Sequence, residues 1–341
     1  MELAARFEKK TFNFKQPSGT SRGVLTEKHA WFIYVWNVED PSVKGTGECS
    51  IIQGLSPDFK DFESYESDVQ NVVENINYFK KNIHELVDKP SIYFGLETAL
   101  LDLNNGGKKI FFETDFTAGK ERIPINGLVW MGSPDFMKKQ VQEKLNAGYD
   151  CIKIKIGAID FEEELLLLKS IRDSFNPSEV TLRVDANGAF SIKDALDKLN
   201  KLNELEIHSI EQPIQSGQWS EMNKLCRESP LPIALDEELI GHYDTKSKEK
   251  VLDKIKPQYI ILKPSLHGGL RGSREWIKLA EQRSIGWWIT SALESNIGLN
   301  VIAQFTSTYD NLPHQGLGTG LLYTNNVPSK LFVSGGYIYH K

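Results

Sequence analysis

Cysteine is scarce in this chain: three residues in 341, Cys49, Cys151 and Cys226, widely spaced and odd in number. That excludes a disulfide framework and offers no paired spacing of the kind that holds zinc. No window approaches the ~18 apolar residues of a membrane-spanning helix, and the first ten residues lack the unbroken apolar core of a signal peptide, so the expected location is cytoplasmic. A basic cluster is also missing. With a net charge of −6, 40% hydrophobic and 25% charged residues, the composition gives no reason to expect nucleic acid or an anionic membrane as partner and leaves small molecules. There is no low-complexity tract, no long linker and no repeat in sequence identity.

What is present is a run, Asp150 to Gly157, in which apolar and charged residues alternate. Side chains of a strand point alternately to its two faces, so Ile152, Ile154 and Ile156 face one way and Lys153 and Lys155 the other. An edge strand with its lysines in water would show the same alternation. The spacing downstream argues for more. Asp185 lies 30 positions after Lys155, Glu211 another 26, Asp236 another 25, Lys263 another 27 and Ser291 another 28, each at or near the end of a short apolar run. A strand, a helix and two short loops occupy about this interval, which is one βα unit. Eight strands can be counted: 123–129, 151–156, 181–186, 208–211, 233–236, 259–263, 286–291 and a weak one near His314. A parallel barrel would gather the C-terminal ends of these strands around one mouth.

Residues 1 to about 120 read differently. Leu3 to Phe14 and His29 to Val38 are strand-like, joined through a turn-rich loop from Pro17 to Gly23, and helical patterns follow over Tyr65 to His84 and Ser91 to Asn104. Strands followed by helices imply an α+β unit beside an α/β barrel. The last strand-like run, Leu331 to Tyr339, is expected to return to the first unit.

Asp185, Glu211 and Asp236 would place three carboxylates from consecutive units close together, which demands protonation or a cation. An oxygen-only donor set favours a hard ion such as Mg²⁺, with Mn²⁺ a substitute. Lys155 before the triad and Lys263 after it would flank the ion. Such a constellation suits removal of a proton α to a carboxylate, with Lys153 beside Lys155 favouring the neutral amine.

The ordered motifs Lys153-Ile-Lys155, Arg183-Val-Asp-Ala-Asn187, Ile210-Glu-Gln-Pro213, Leu235-Asp-Glu237 and Ile261-Leu-Lys-Pro264 resemble the enolase superfamily, in its muconate-lactonizing subgroup. Gly45-Thr-Gly-Glu48 and the stretch Glu97 to Asp102 are similar to features of its capping domain. The resemblance implies a modified TIM barrel, (β/α)7β, over 121–320, an α+β N-terminal capping domain over 1–120, and a C-terminal segment, 321–341, returning to the cap. It implies Mg²⁺ on Asp185, Glu211 and Asp236, Lys155 as the base, Lys263 as a cation on the opposite flank, and Lys153 tuning Lys155. Substrate contacts are expected from Ser21, Arg22, Arg183, Asn187, Ser291, Ser295, Gly318 and Thr319.

The motifs Ser291 to Leu299 and Gly316-Leu-Gly-Thr-Gly320 resemble most the superfamily members that dehydrate a cyclohexadiene carboxylate in menaquinone biosynthesis. Racemisation of an N-succinylamino acid or epimerisation of a dipeptide would use the same lysine pair. The lack of an Asp-x-Asp pair near the eighth strand speaks against dipeptides. A non-catalytic binding barrel is a further alternative, against which stand the five usable ionisable positions.

Overall fold

Three antiparallel strands, β1 (Leu3–Thr20), β2 (Gly23–Asn37) and β3 (Asp40–Ser50), form the first sheet of the computed structural model, which describes residues 2–20 and 23–341. The expected loop from Pro17 to Gly23 is largely strand. Pairing breaks between Asn13 and Ser18, where Pro17 has no N–H to give the ladder, and resumes with Ser18 opposite Leu25. The hairpin is braced from outside by a bridge between Gly19 and Met131. Ser21 and Arg22 lie outside the described residues.

Helix α1 (Phe62–Glu74) begins at Asp61, whose carboxylate accepts from Ser64 N. The single helix expected over Tyr65 to His84 breaks at Asn75, where the side chain donates to Asn71 O and competes for a helical carbonyl. A short α2 (Ile76–Phe79) and a 3₁₀ turn, Ile83–Leu86, follow. Then α3 (Pro90–Asn104) lies across the sheet. The two glycines of Gly45-Thr46-Gly47 make this contact possible: a Cβ at Gly45 would stand 2.0 Å from Ala99 O, and one at Gly47 1.9 Å from Gly95 O. Trp31, Tyr65, Val69, Ile92 and Leu96 are buried in the core between sheet and helices.

The second sheet is wholly parallel, in the order β11-β10-β9-β8-β7-β6-β5. Its strands are β5 (Gly127–Val129), β6 (Cys151–Lys155), β7 (Thr181–Asp185), β8 (Ser209–Glu211), β9 (Ile233–Leu235), β10 (Tyr259–Leu262) and β11 (Gly286–Ile289). Each is followed by a helix: α4 (Pro134–Asn146), α5 (Phe161–Arg172), α6 (Ile192–Asn203), α7 (Trp219–Glu228), α8 (Thr245–Ile255), α9 (Gly269–Glu281) and α10 (Asn296–Thr306). The weak strand near His314 is reduced to two bridging residues. Gln315 pairs with Ile125 and Gly316 with Thr290, so they close the ring between its first and last strands. The result is a (β/α)7β barrel with an α+β cap.

The run 123–129 divides into β4 (Ile123–Pro124) and β5. The C-terminal chain divides too. Residues 322–325 run against β1, with Lys15 N donating to Leu322 O (2.8 Å) and Thr324 N to Asn13 O (2.9 Å). The hairpin of β12 (Leu331–Ser334) and β13 (Tyr337–His340) joins β4 instead of the cap sheet, because Ile338 is opposite Ile123 and is fully buried with the barrel core. Among the described residues no helix is long and apolar enough to cross a membrane.

Candidate active site

Alternation along the barrel strands decides which residues look inward. Ile152, Ile154, Leu182, Val184, Ile210, Ile233, Ile260 and Leu262 are buried in the outer core. Their neighbours Lys153, Lys155, Asp185 and Glu211 therefore face the interior, where all four line one cavity of about 490 Å³. Lys155 is paired in register with Asp185, and Asp185 with Glu211. Asp236 and Lys263 immediately follow β9 and β10 and continue the row.

The side chains interlock. Lys155 Nζ donates to Asp185 Oδ2 (3.0 Å) and to Asn187 Oδ1 (2.7 Å). Lys153 Nζ lies 3.0 Å from Asp185 Oδ2 and 2.6 Å from Glu211 Oε2, and Lys263 pairs with Asp236. Two lysines thus take opposite ends of the acid row, and the third bridges its first two members. Burial disfavours the charge on Lys153, but Asp185 and Glu211 beside it outweigh that and hold its pKa above the ordinary value. Glu211 is pushed well up by burial and by Asp185, while the lysines overcome burial to pull Asp185 down. Each of the three acids has a lysine ammonium within ion-pair distance.

With the amines standing between the acids, no group of three acidic, histidine or cysteine side chains among the described residues converges on one point. The residues nonetheless fit a hard cation. Glu211 Oε1 and Asp236 Oδ1 are buried and accept no hydrogen bond, and every donor atom is a carboxylate oxygen. A cation would satisfy both oxygens and release the amines.

The expected substrate contacts divide. Asn187, Ser291, Gly318 and Thr319 line the cavity, and Thr319 Oγ1 is buried without a partner. Ser291 gives its hydroxyl to Glu294 Oε2 at 2.5 Å. Arg183 does not reach the cavity. Two positions before Asp185, it sits a layer deeper in the barrel, donates to His314 O (2.8 Å) and stacks 4.1 Å over Trp288. Ser295 is fully buried as the N-cap of α10, with its hydroxyl donating to Glu48 Oε2 (2.6 Å). Ser21 and Arg22 are outside the described residues.

A second network joins cap to barrel. Buried Lys28 on β2 donates to Ala292 O (2.5 Å) and Leu293 O (2.6 Å). Burial brings its pKa down to about 8 against the attraction of Glu294 and Glu48. Glu48 also accepts from Ser295 N (2.8 Å) and Gly298 N (2.8 Å), and Tyr323 donates to Leu293 O (2.6 Å). Leu293 is thereby held at φ 62°, a conformation costly for a residue with a Cβ, and lines the cavity. Lys28, Glu294 and Tyr323 were not legible as site residues: each lies in an ordinary alternating or loop context. Glu294 as the one charged residue within the motif Ser291 to Leu299 was the available signal for that position. Glu97, by contrast, caps α9 by accepting from Leu270 N (2.6 Å) and Arg271 N (3.1 Å), which gives its stretch a docking role.

A parallel barrel with a row of three strand-end acids, an amine at each end of that row and an α+β cap across the mouth defines an enzyme architecture with acids and amines set around one cavity. The chain belongs to the family described as Enolase C-terminal domain-like, whose profile matches residues 136–340. It is 46% identical to an o-succinylbenzoate synthase of Desulfotalea psychrophila, over 99% of this chain and 98% of that protein. The crystal structure of MenC from the same organism superposes with a TM-score of 0.83 at 43% identity, covering 99% of both chains. An N-succinylamino acid racemase of Thermus thermophilus is 35% identical over 46% of this chain and 40% of its own length.

Proposed function

We propose that this chain is an o-succinylbenzoate synthase, a lyase that removes water from 2-succinyl-6-hydroxy-2,4-cyclohexadiene-1-carboxylate in menaquinone biosynthesis. The observation that carries the reading is the row of Lys155, Asp185, Glu211, Asp236 and Lys263 at neighbouring strand ends beside one cavity, in a chain with 46% identity to a synthase over its full length. We assign the cytoplasm as its location and a small-molecule carboxylate as its partner.

Asp185, Glu211 and Asp236 would hold Mg²⁺, which when bound supplies positive charge next to the substrate carboxylate. Lys155 Nζ takes the proton from the carbon bearing that carboxylate. The resulting ammonium, on the same face, returns a proton to the β-hydroxyl as the C–O bond breaks and the ring double bond forms, so that water leaves and the ring becomes aromatic. Asn187, which accepts from Lys155 Nζ, aims the amine. Lys263 serves as a fixed cation across the site, and Lys153, two residues before Lys155 on the same face of β6, tunes its amine.

Racemisation of an N-succinylamino acid is the second reading, favoured by a lysine at each end of the acid row. Incubating the purified protein and Mg²⁺ with the cyclohexadiene carboxylate and, separately, with N-succinylamino acids decides between them. The expected result is aromatic product with the first substrate at a kcat/KM above that of racemisation. Racemisation alone would reverse the assignment.

A further inference from the structure

The cavity extends beyond the acids and lysines. Along β5 and the segment after Gly316 it continues past Asn126 and Gly318 to Tyr149 and Lys144, none of which touches the acid row. These residues are neighbours: a Cβ at Gly318 would lie 3.7 Å from Asn126 O and 4.0 Å from the Tyr149 hydroxyl oxygen, and Lys144 Nζ is 5.3 Å from the centre of the Tyr149 ring. Gly127 makes room for the lysine stem, since a Cβ there would meet Lys144 Cγ and Cδ at 3.1 Å.

Lys144 is half-buried, and burial lowers its pKa against the attraction of the adjacent Glu143. Yet among the described residues no carboxylate stands within ion-pair distance of it; Glu143 is oriented to Lys139, 3.9 Å away. The Tyr149 hydroxyl has no hydrogen-bond partner among those residues either. Gln140, also in the wall, is fully used by the Trp130 backbone. A part-buried ammonium beside a free phenol in a cavity is complementary to an anion that arrives with its ligand.

We propose that Lys144, assisted by the Tyr149 hydroxyl and Asn126, binds the distal carboxylate of the substrate's succinyl arm. The inference rests on the dehydratase reading, whose substrate carries that second carboxylate away from the reacting carbon. Lys144 is a specificity residue here and takes no part in proton transfer. It would favour succinylated substrates over those ending in a neutral group.

The test is steady-state kinetics of the parent, Lys144→Met and Lys144→Arg with the diene dicarboxylate and with its analogue bearing a primary amide in place of the distal carboxylate. Loss of one charge-assisted contact should raise KM for the dicarboxylate about tenfold or more in Lys144→Met, with kcat little changed and partial recovery in Lys144→Arg. The amide analogue should show the raised KM already in the parent and no further loss in Lys144→Met. Equal sensitivity of both substrates, or an unchanged KM, overturns the proposal. So does a loss in Lys15→Met with Lys144→Met silent, because Lys15 is the exposed lysine at the cap side of the same cavity. Calorimetric binding of o-succinylbenzoate to parent and Lys144→Met separates the two readings: absence of turnover defeats the dehydratase assignment, whereas binding indifferent to Lys144 defeats this subsite.

Discussion

Ser295, at the start of α10 in the barrel, gives both its backbone N–H and its hydroxyl to Glu48 of the cap, at 2.8 and 2.6 Å. The pair is completely enclosed, so its bonds have no competition from water. Glu48→Ala would strand three donors and the Lys28 ammonium nearby. We expect a loss of about 3 kcal/mol, read as a lower denaturant midpoint, with Glu48→Gln losing less. A midpoint unchanged in Glu48→Ala would remove the network from the stability of the cap–barrel junction.

Lys155→Ala should lower kcat by about 10³-fold or more while leaving the far-ultraviolet dichroism unchanged, since positioned proton transfer is typically worth that much. The fold is spared because Lys153 remains on Asp185 after the substitution. Turnover within a few-fold of the parent would remove Lys155 as the base.

Metal dependence follows from the two unpartnered oxygens, Glu211 Oε1 and Asp236 Oδ1. Exhaustive chelation should abolish turnover and added Mg²⁺ restore it. In Glu211→Gln the apparent Mg²⁺ affinity, titrated calorimetrically, should fall by at least the roughly 10- to 100-fold seen for residues that merely support metal ligands. Activity that survives chelation would contradict the assignment of the acids.

Acid stability has a traceable contribution from His208. Burial, with Arg183 and His314 adding to it, lowers its pKa to about 4 in the folded protein, against an ordinary value near 6.5. Below pH 6.5 the unfolded chain takes up a proton that the folded one refuses, so this contribution is complete above pH 6.5 and is lost progressively as pH falls towards 4. Replacing His208 by Gln removes that dependence. The stability difference between parent and His208→Gln should therefore shift against the parent between pH 7 and 4 in denaturant melts. Parallel curves would show that His208 does not titrate on unfolding.

The rhythm of strand ends was legible because β6, β7 and β8 alternate outward apolar residues with inward polar or charged ones, a signal that survives in runs as short as Ser209–Glu211, and because the apolar β9 and β10 lead directly into Asp236 and Lys263. The side chains of Ser133, Asp160 and Ser191 each accept from the first turn of the helix they begin, so these helix starts have a local sequence cause. Arg183 misled because alternation gives the face of a strand and not the depth along it. Ser295 misled because a hydroxyl at a helix start has the same sequence signature whether it meets substrate or a buried acid. Lys28 was hidden for a third reason: its partners are carbonyls more than 260 positions away, and carbonyls leave no mark in the sequence.

The bonds between residues 13–15 and 322–325, with the closure of the ring by Gln315 and Gly316, tie the chain's beginning to its end. A nascent polypeptide can display every acid and amine of the row while its ring is still open and its cap hairpin still lacks its fastening. The site in this architecture thus depends on contacts between segments some 310 positions apart in the sequence.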